Sequence, residues 1–124
     1  VAKGVYSGVT QSQQVVITKQ DDWRRLWGQT QSILIPPPDC PTADFKKTML
    51  IAVYLGEQSS GGHDIRIDSI QLGPKKLIVT VYQSHPGPGC LSTMSLTQPY
   101  HIVSTARSTR PVEFVTLTKQ QRCS

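Results

Sequence analysis

The chain is poor in several residue types that mark common protein classes. Of its 124 residues, 37% are apolar, 17% are charged and 6% are aromatic. No apolar run reaches the roughly 18 residues that a membrane-spanning helix needs, so we expect no span in this chain. Gly and Pro are plentiful, with nine of each, which favours turns and short strands over a helical bundle or coiled coil. At this length we expect one domain over residues 1–124.

Motifs that carry catalysis or bind cofactors are missing from the sequence. No G-x-S-x-G segment surrounds a serine, and no glycine-rich loop stands between a strand and a helix. His63, His85 and His101 lack metal-ligand spacing, and the cysteines form no C-x-x-C pair. A thiol–imidazole pair of Cys90 and His101 is conceivable, but structural roles are favoured for both residues. We therefore expect a protein that is not an enzyme and that uses no cofactor or metal.

The charge is basic but dispersed. Lys and Arg number 13 against 8 Asp and Glu, which gives a formal net charge of +5. Such a balance suits nucleic acid or an acidic protein partner. The basic residues form no long run and no nucleic-acid motif, so a solvated cationic surface is favoured over nucleic-acid binding.

Three cysteines, Cys40, Cys90 and Cys123, leave one thiol over after any single disulfide. One disulfide is the expectation in an exported protein, and three thiols in a cytosolic one. Few Lys and Glu residues, many Ser, Thr and Gln residues, and a start at Val1 rather than Met favour export. We therefore expect a secreted, periplasmic or cell-surface protein.

One short helix is predicted, at about residues 19–29. Thr18 to Asp21 has the form of a capping box, and Gly28 is a candidate end. Trp23, Leu26 and Trp27 recur at helical spacing, which predicts one apolar stripe packed on the core.

The remaining chain predicts β-strands. The continuous apolar run Met49 to Leu55 indicates a central strand buried on both faces. Ile65 and Ile67 alternate with polar residues, and Ile70 and Leu72 take the opposite parity, which predicts a β-bulge near Asp68-Ser69. Further strands are expected within residues 4–18 and at 77–83, 91–97, 100–105 and 112–118. The predicted fold is mainly β with some α, an antiparallel sheet or sandwich with one short N-terminal helix.

Three loops are the candidate binding elements, because binding residues concentrate on loops of β scaffolds. They span residues 57–63, 85–90 and 107–111. The partner-binding residues predicted within them are Ser59, Ser60, Gly61, Gly62, His63, Pro86, Gly87, Pro88, Gly89, Arg110 and Pro111. A small-ligand site or an enzyme would instead need a concave pocket around His63, Asp64 and His85.

Several segments, in order, resemble one family. They are Trp23 to Trp27, Asp44 to Val53, Gly56, Ser60 to His63 with Ile65 and Ile67, Pro86 to Cys90, Gln98 to Val103, and Pro111 to Val115. Together they resemble the PrcB C-terminal family over roughly Trp23 to Val115. His63 stands where members of that family commonly carry a tyrosine after the two glycines, so a role of that ring does not transfer.

The resemblance implies a binding function. The family is named for a lipoprotein that supports a secreted subtilisin-like protease complex, and it is not described as catalytic. An exported domain that binds, stabilises or regulates a protease is therefore expected. The loop order is also similar to that of chagasin-type inhibitors, immunoglobulin-like sandwiches that insert three loops into a papain-like protease. Direct inhibition is thus the alternative.

The path of residues 91–105 decides between two loop arrangements. If these residues form one bulged strand, loops 56–62 and 84–90 share one end of the fold, loop 106–111 lies at the other, and Cys90 can pair with Cys123. If the chain reverses at Pro99, all three loops gather and Cys123 falls near Cys40. Gln98-Pro99 lacks the Gly or Asn of a tight reversal, which favours a Cys90–Cys123 disulfide.

Overall fold

A computed structural model of the chain describes residues 1–121. It contains seven strands and one helix within that range. In chain order they are β1 (Ala2–Gly4), β2 (Gln13–Ile17), α1 (Gln20–Thr30), β3 (Thr48–Tyr54), β4 (Asp64–Leu72), β5 (Leu77–Pro86), β6 (Tyr100–Ala106) and β7 (Val112–Gln121). The predicted mainly β fold with one N-terminal helix is confirmed.

The strands form two sheets. One has the order β1-β6-β3-β2 and is antiparallel throughout. The other has the order β4-β5-β7, in which β4 is antiparallel to β5 and β7 is parallel to it. The parallel pair is a feature that the predicted, mostly antiparallel fold does not specify. It arises because the chain leaves β5 for the first sheet, forms β6 there and then returns to begin β7 beside the start of β5.

β3 is the centre of the fold, as its continuous apolar run predicts. Leu50, Ala52 and Tyr54 face a core shared with the helix, whereas Met49, Ile51 and Val53 face a core shared with the second sheet. Successive side chains of a strand point to opposite faces, so a strand covered on both sides needs apolar residues at every position. The layers are therefore helix, four-stranded sheet and three-stranded sheet.

The helix, Gln20–Thr30, lies within one residue of the predicted 19–29 and buries the predicted stripe, but its capping differs from the prediction. Trp23 is fully buried, and Leu26 and Trp27 lie beside it in the same core. The N-cap is Lys19, which makes no side-chain capping bond, so the capping box predicted from Thr18 is wrong. The helix also continues through Gly28 to Thr30. Tertiary packing of the tryptophans extends it past a weak helix former.

Two further strand predictions have opposite outcomes. The pairing of β4 with β5 shifts between Ile67 and Ser69, which confirms the predicted bulge near Asp68-Ser69. The strand predicted at 91–97 is wrong, because only Thr97 there makes a β-bridge, to Gln58. Within residues 1–121, no helix is both long enough and apolar enough to cross a membrane.

Candidate functional site

Two of the three predicted loops meet at one end of the sandwich. Tyr54 at the end of β3 lies opposite Tyr100 at the start of β6. The chain that leaves β3 and the chain that enters β6 therefore emerge side by side. We call residues 55–63 and 87–99, with the adjoining end of β5, the loop end.

The third predicted loop, 107–111, lies at the opposite end. Val112 at the start of β7 pairs with Leu77 at the start of β5, whereas Pro86 ends β5 at the loop end. Ten residues at about 3.3 Å each separate the two ends of β5 by about 30 Å. The favoured arrangement, with this loop at the other end, agrees with the structure, and the alternative in which Arg110 and Pro111 join the other loops in a three-loop inhibitor site does not. Pro99 and Thr97 continue the antiparallel path of β6 beside Leu55 and Gln58, so the chain does not reverse at Pro99.

Arg110 and Pro111 hold the local backbone together. The Arg110 guanidinium donates to the Gly73 carbonyl, and the Pro111 carbonyl accepts from Leu77 N–H at 2.8 Å. Arg107 likewise donates to the carbonyls of Thr18 and Phe45. A cavity of about 410 Å³ lies beside these arginines, floored by Ile70, Leu72 and Leu77 among others. A small-ligand site or an enzyme would need a concave pocket around His63 and His85, but this cavity lies at the opposite end of the fold.

At the loop end, residues 91–97 pack on residues 57–61. Gln58 and Thr97 exchange backbone hydrogen bonds of 2.8 and 2.9 Å, and Gly61 N–H donates to the Thr93 carbonyl at 3.0 Å. Thr97 Oγ1 adds a bond of 2.8 Å to the Ser60 carbonyl. A Cβ at Gly61 would overlap Thr93 Oγ1, so a larger residue there would require the Thr93 side chain to move. The two loops are thus one ordered unit.

His63 and His85 form the polar centre of this end. Their Nδ1 atoms are 2.7 Å apart, and His63 Nε2 is 3.3 Å from Ser60 Oγ. Of two Nδ1 atoms at that distance, one donates and the other accepts, so the pair shares one proton there. Burial, and then the charge of His85, lower the pKa of His63 below its usual value. The His63 imidazole is therefore neutral at neutral pH, and its contact with His85 links loop 57–63 to β5.

The β-bulge sets this contact. On the N-terminal side of the bulge in β4 the register is Asp64 opposite Ser84, which continues to His63 opposite His85. On its C-terminal side the register is Leu72 opposite Leu77. If that register continued without a bulge, Asp64 would oppose His85 and the side chain of Ile65 would leave the core. The side-chain pattern predicts the bulge, whereas the connection between the bulge and the two histidines depends on the strand register.

The order Ser60–His63–His85 matches the nucleophile, base and orienting group of a hydrolase. Such a site also needs N–H donors aimed at the developing oxyanion, commonly the amide after the nucleophile. That amide is Gly61 N–H, which already donates to Thr93. Ser60 Oγ also lies 3.2 Å from the Gly61 carbonyl, an alternative acceptor for its proton. The arrangement favours a structural network over a nucleophile.

Residues 91–96 of the loop end carry exposed apolar side chains, which were not predicted as site residues. Leu91 and Met94 are almost fully exposed, and Leu96 is 57% exposed. The sequence predicts a strand over residues 91–97, so these apolar side chains were not considered as a binding surface. The signal that could have distinguished it is the Pro/Gly-rich stretch 86–89 directly before it.

Other residues that could carry chemistry have structural partners. His101 Nδ1 accepts from Ile67 N–H at 2.9 Å across the two sheets, and it forms no pair with Cys90. Asp64 forms an ion pair with Lys3 at 2.6 Å. Among residues 1–121, no group of three or more potential metal ligands occurs.

Cys40 and Cys90 have different environments. Cys40 is a free thiol, which gives no support to a Cys40–Cys123 pairing. Cys90 Sγ lies 3.8 Å from the Gln121 carbonyl, so the loop end contacts the last described residue of β7. Cys123 itself lies outside the described residues.

Comparison with protein families gives a match for the central part of the chain. Residues 49–106 match the PrcB C-terminal family. The predicted resemblance is confirmed over this PrcB C-terminal segment, which is just under half of the chain. Searches of curated proteins and of solved structures returned no match.

The PrcB C-terminal segment contains the four strands around which the fold is built. It covers nearly all of β3 and all of β4, β5 and β6, together with both loops of the loop end. The helix with its tryptophans, and β7, lie outside it. The wider resemblance from Trp23 to Val115 stays a prediction there.

Proposed function

We propose that this is an exported, non-enzymatic domain that binds a protease through its loop end and stabilises or regulates it. The observation that carries the proposal is an ordered pair of loops, within the PrcB C-terminal segment, that presents Leu91, Met94 and Leu96 to solvent. The predicted partner-binding residues Ser59 to His63 and Pro86 to Gly89 border these side chains. Arg110 and Pro111 are excluded from this surface by their position.

The loop end is suited to protein binding for two physical reasons. Exposed apolar side chains gain free energy when a partner removes them from water, about 25 cal/mol per Å². Backbone bonds between Gln58 and Thr97 and between Gly61 and Thr93 already order the loops. A preordered loop loses little conformational entropy on binding, so more of the contact energy contributes to affinity.

A disulfide between Cys90 and Cys123 belongs to the same proposal. It would join loop 87–90 to the chain beyond β7 and suits an exported protein. Alkylation of the unfolded, unreduced protein should then modify one thiol, that of Cys40, and alkylation after reduction should modify three. Three thiols before reduction would contradict both the disulfide and the case for export that it supports.

The partner test is a binding and activity titration. One subtilisin-like and one papain-like protease are titrated with the chain, and binding and residual activity on a small chromogenic substrate are followed together. Saturable binding with activity retained supports a stabilising or regulatory role. Loss of activity at one-to-one stoichiometry indicates direct inhibition through two loops instead of three. No saturable binding to either class contradicts the proposal.

Paired variants assign the binding surface. Met94→Ser removes an apolar side chain that is 95% exposed at the loop end, and Ile35→Ser removes one that is 97% exposed elsewhere. Met94→Ser should weaken binding about tenfold or more, as for a buried interface anchor, and Ile35→Ser should not. Equal effects would place the partner on another surface.

The absence of catalysis has its own test. A fluorophosphonate or activated-ester probe labels a serine whose hydroxyl is activated by a histidine. We expect no labelling of Ser60, and the same result for Ser60→Ala and His63→Gln variants. Stoichiometric labelling of Ser60 that disappears in His63→Gln would make the chain a hydrolase.

A further inference from the structure

β7 leaves a long sheet edge without a strand partner. It pairs with β5 over ten residues with no register shift. It is the outer strand in the order β4-β5-β7, so within the described chain its other side has no neighbour. Unpaired backbone N–H and C=O groups on such an edge are a template for another extended strand.

β7 has few of the devices that usually protect an edge. The strand contains no proline and no bulge, and its charged residues, Glu113 and Lys119, stand near its two ends. Between them lie Val115 and Leu117, which are 39% and 49% exposed. These four residues alternate along the strand, so they share one face.

The spacing of these four residues is self-complementary. We infer that β7 pairs antiparallel with β7 of a second copy of this chain, about a two-fold axis through Thr116. In that register Glu113 lies opposite Lys119 of the second copy, and Val115 lies opposite its Leu117. The symmetry repeats both pairs on the other side of the axis. Directly opposite side chains have Cβ atoms about 5 Å apart, within reach of ionic and apolar contact.

Other registers lose this match. A shift by two positions places Glu113 opposite Leu117, or Val115 opposite Lys119, so that a charge faces an apolar side chain. A shift by one turns the exposed face of one strand toward the core side of the other. The register on Thr116 alone pairs opposite charges and apolar residues together, and it joins the two three-stranded sheets into one.

Contacts within the monomer are compatible with this pairing. Glu113 makes an exposed ion pair of 2.9 Å with Lys76 on the β5 side, and its other oxygen can accept from a second lysine. Gln14 Nε2 bonds to Thr116 Oγ1 at 3.1 Å from the first sheet. That bond lies on the face opposite Val115 and Leu117 and leaves the backbone edge open.

The test is the mass of the full chain by sedimentation equilibrium over about a hundredfold range of concentration, because dimerisation follows mass action. We expect a concentration-dependent rise from 13.7 kDa toward twice that mass. Glu113→Lys alone and Lys119→Glu alone each put like charges opposite each other twice and should weaken the dimer about tenfold. The double exchange restores opposite charges and should recover most of the affinity.

Two leucines provide the matched control. Leu117→Lys places a charge at the centre of the exposed stripe and should also weaken the dimer about tenfold. Leu72→Lys changes an exposed leucine on β4, the opposite edge of the same sheet, and should leave it unchanged. Unaltered thermal unfolding of dilute samples shows that each variant folds. A mass of one chain at every concentration, or a dimer indifferent to the single charge reversals, overturns the inference.

Discussion

Replacement of Trp23 tests whether the helix is part of the core or a docking surface. The indole is fully buried, and its Nε1–H donates to the Pro41 carbonyl at 2.9 Å. Its ring centroid lies 5.4 Å from that of Trp27, whose own N–H donates to the Pro38 carbonyl at 2.9 Å. The two indoles therefore hold residues 36–41 against the helix.

The magnitude follows from these contacts. Trp23→Ala should cost about 3–5 kcal/mol in the free energy of unfolding, the usual range for a buried tryptophan. Within that, the hydrogen bond contributes about 1 kcal/mol and the ring pair about 0.5–1.5 kcal/mol. Trp23→Phe keeps most of the burial and loses the bond, so about 1–2 kcal/mol is expected.

Urea unfolding followed by far-ultraviolet circular dichroism measures these costs, since tryptophan fluorescence changes with the substitution itself. At this chain length each kcal/mol lowers Tm by about 4 °C, so Trp23→Ala should melt about 10–20 °C lower. Arg24→Ala, on the exposed side of the same helix, should change stability by less than about 0.5 kcal/mol. If the two substitutions cost the same, the indole is not in the core and the assignment of the helix stripe is wrong.

Three further predictions concern single positions. Gly28→Ala should stabilise the fold by about 0.5–1 kcal/mol, because the helix continues through Gly28 and an added Cβ meets nothing within 4 Å; a lower Tm would contradict the helical assignment. Burial lowers the pKa of His63 and of His101 in the folded state. The contribution of these two histidines to the free energy of unfolding is therefore complete above the unfolded pKa of about 6.5, and it is lost as the pH falls through their folded pKa values. A Tm that stays constant from pH 7.5 to about 5 would contradict this pH dependence. His101→Phe should cost about 1–3 kcal/mol in urea unfolding, because the partly buried Ile67 N–H loses its acceptor, and a neutral result would mean that water replaces the imidazole.

The sequence predicts those parts of the fold in which burial determines the pattern of apolar and polar residues along a whole segment. Met49 to Leu55 could be assigned to a central strand because a strand covered on both faces has no polar alternation. The bulge could be assigned because Ile67 and Ile70 change parity while both pack against the second core. In both cases the side-chain pattern carries the information.

The parts that the sequence does not predict depend on which segments become neighbours. The pattern of residues 112–121 fits a strand equally well in parallel or antiparallel pairing, so the parallel β5–β7 pair was missed. Residues 91–96 have the composition of a strand but find no pairing partner, and their apolar side chains remain in solvent. Arg110 is predicted as a partner-binding residue, but its guanidinium donates to the Gly73 carbonyl of its own chain.

The bulge at Asp68 links the core to the loop end and gives the last prediction. Ile65 is 1% exposed, and only the bulged register keeps it inside while placing His63 opposite His85. Deletion of Asp68 removes the unpaired residue and leaves every other pairing with β5 in place. We therefore expect a folded variant that loses about 1 kcal/mol or less from the exposed ion pair with Arg66.

Deletion of Arg66 also removes one residue from β4, but it shifts Ile65 by one position and turns it out of the core. Loss of its burial should cost about 2–5 kcal/mol. The His63–His85 contact should be lost with it, which histidine resonances in an NMR pH titration would report. If the two deletions are equally destabilising, or if the histidine titrations of the Asp68 deletion resemble those of isolated imidazoles, the core does not position the loop end in the way that the register indicates.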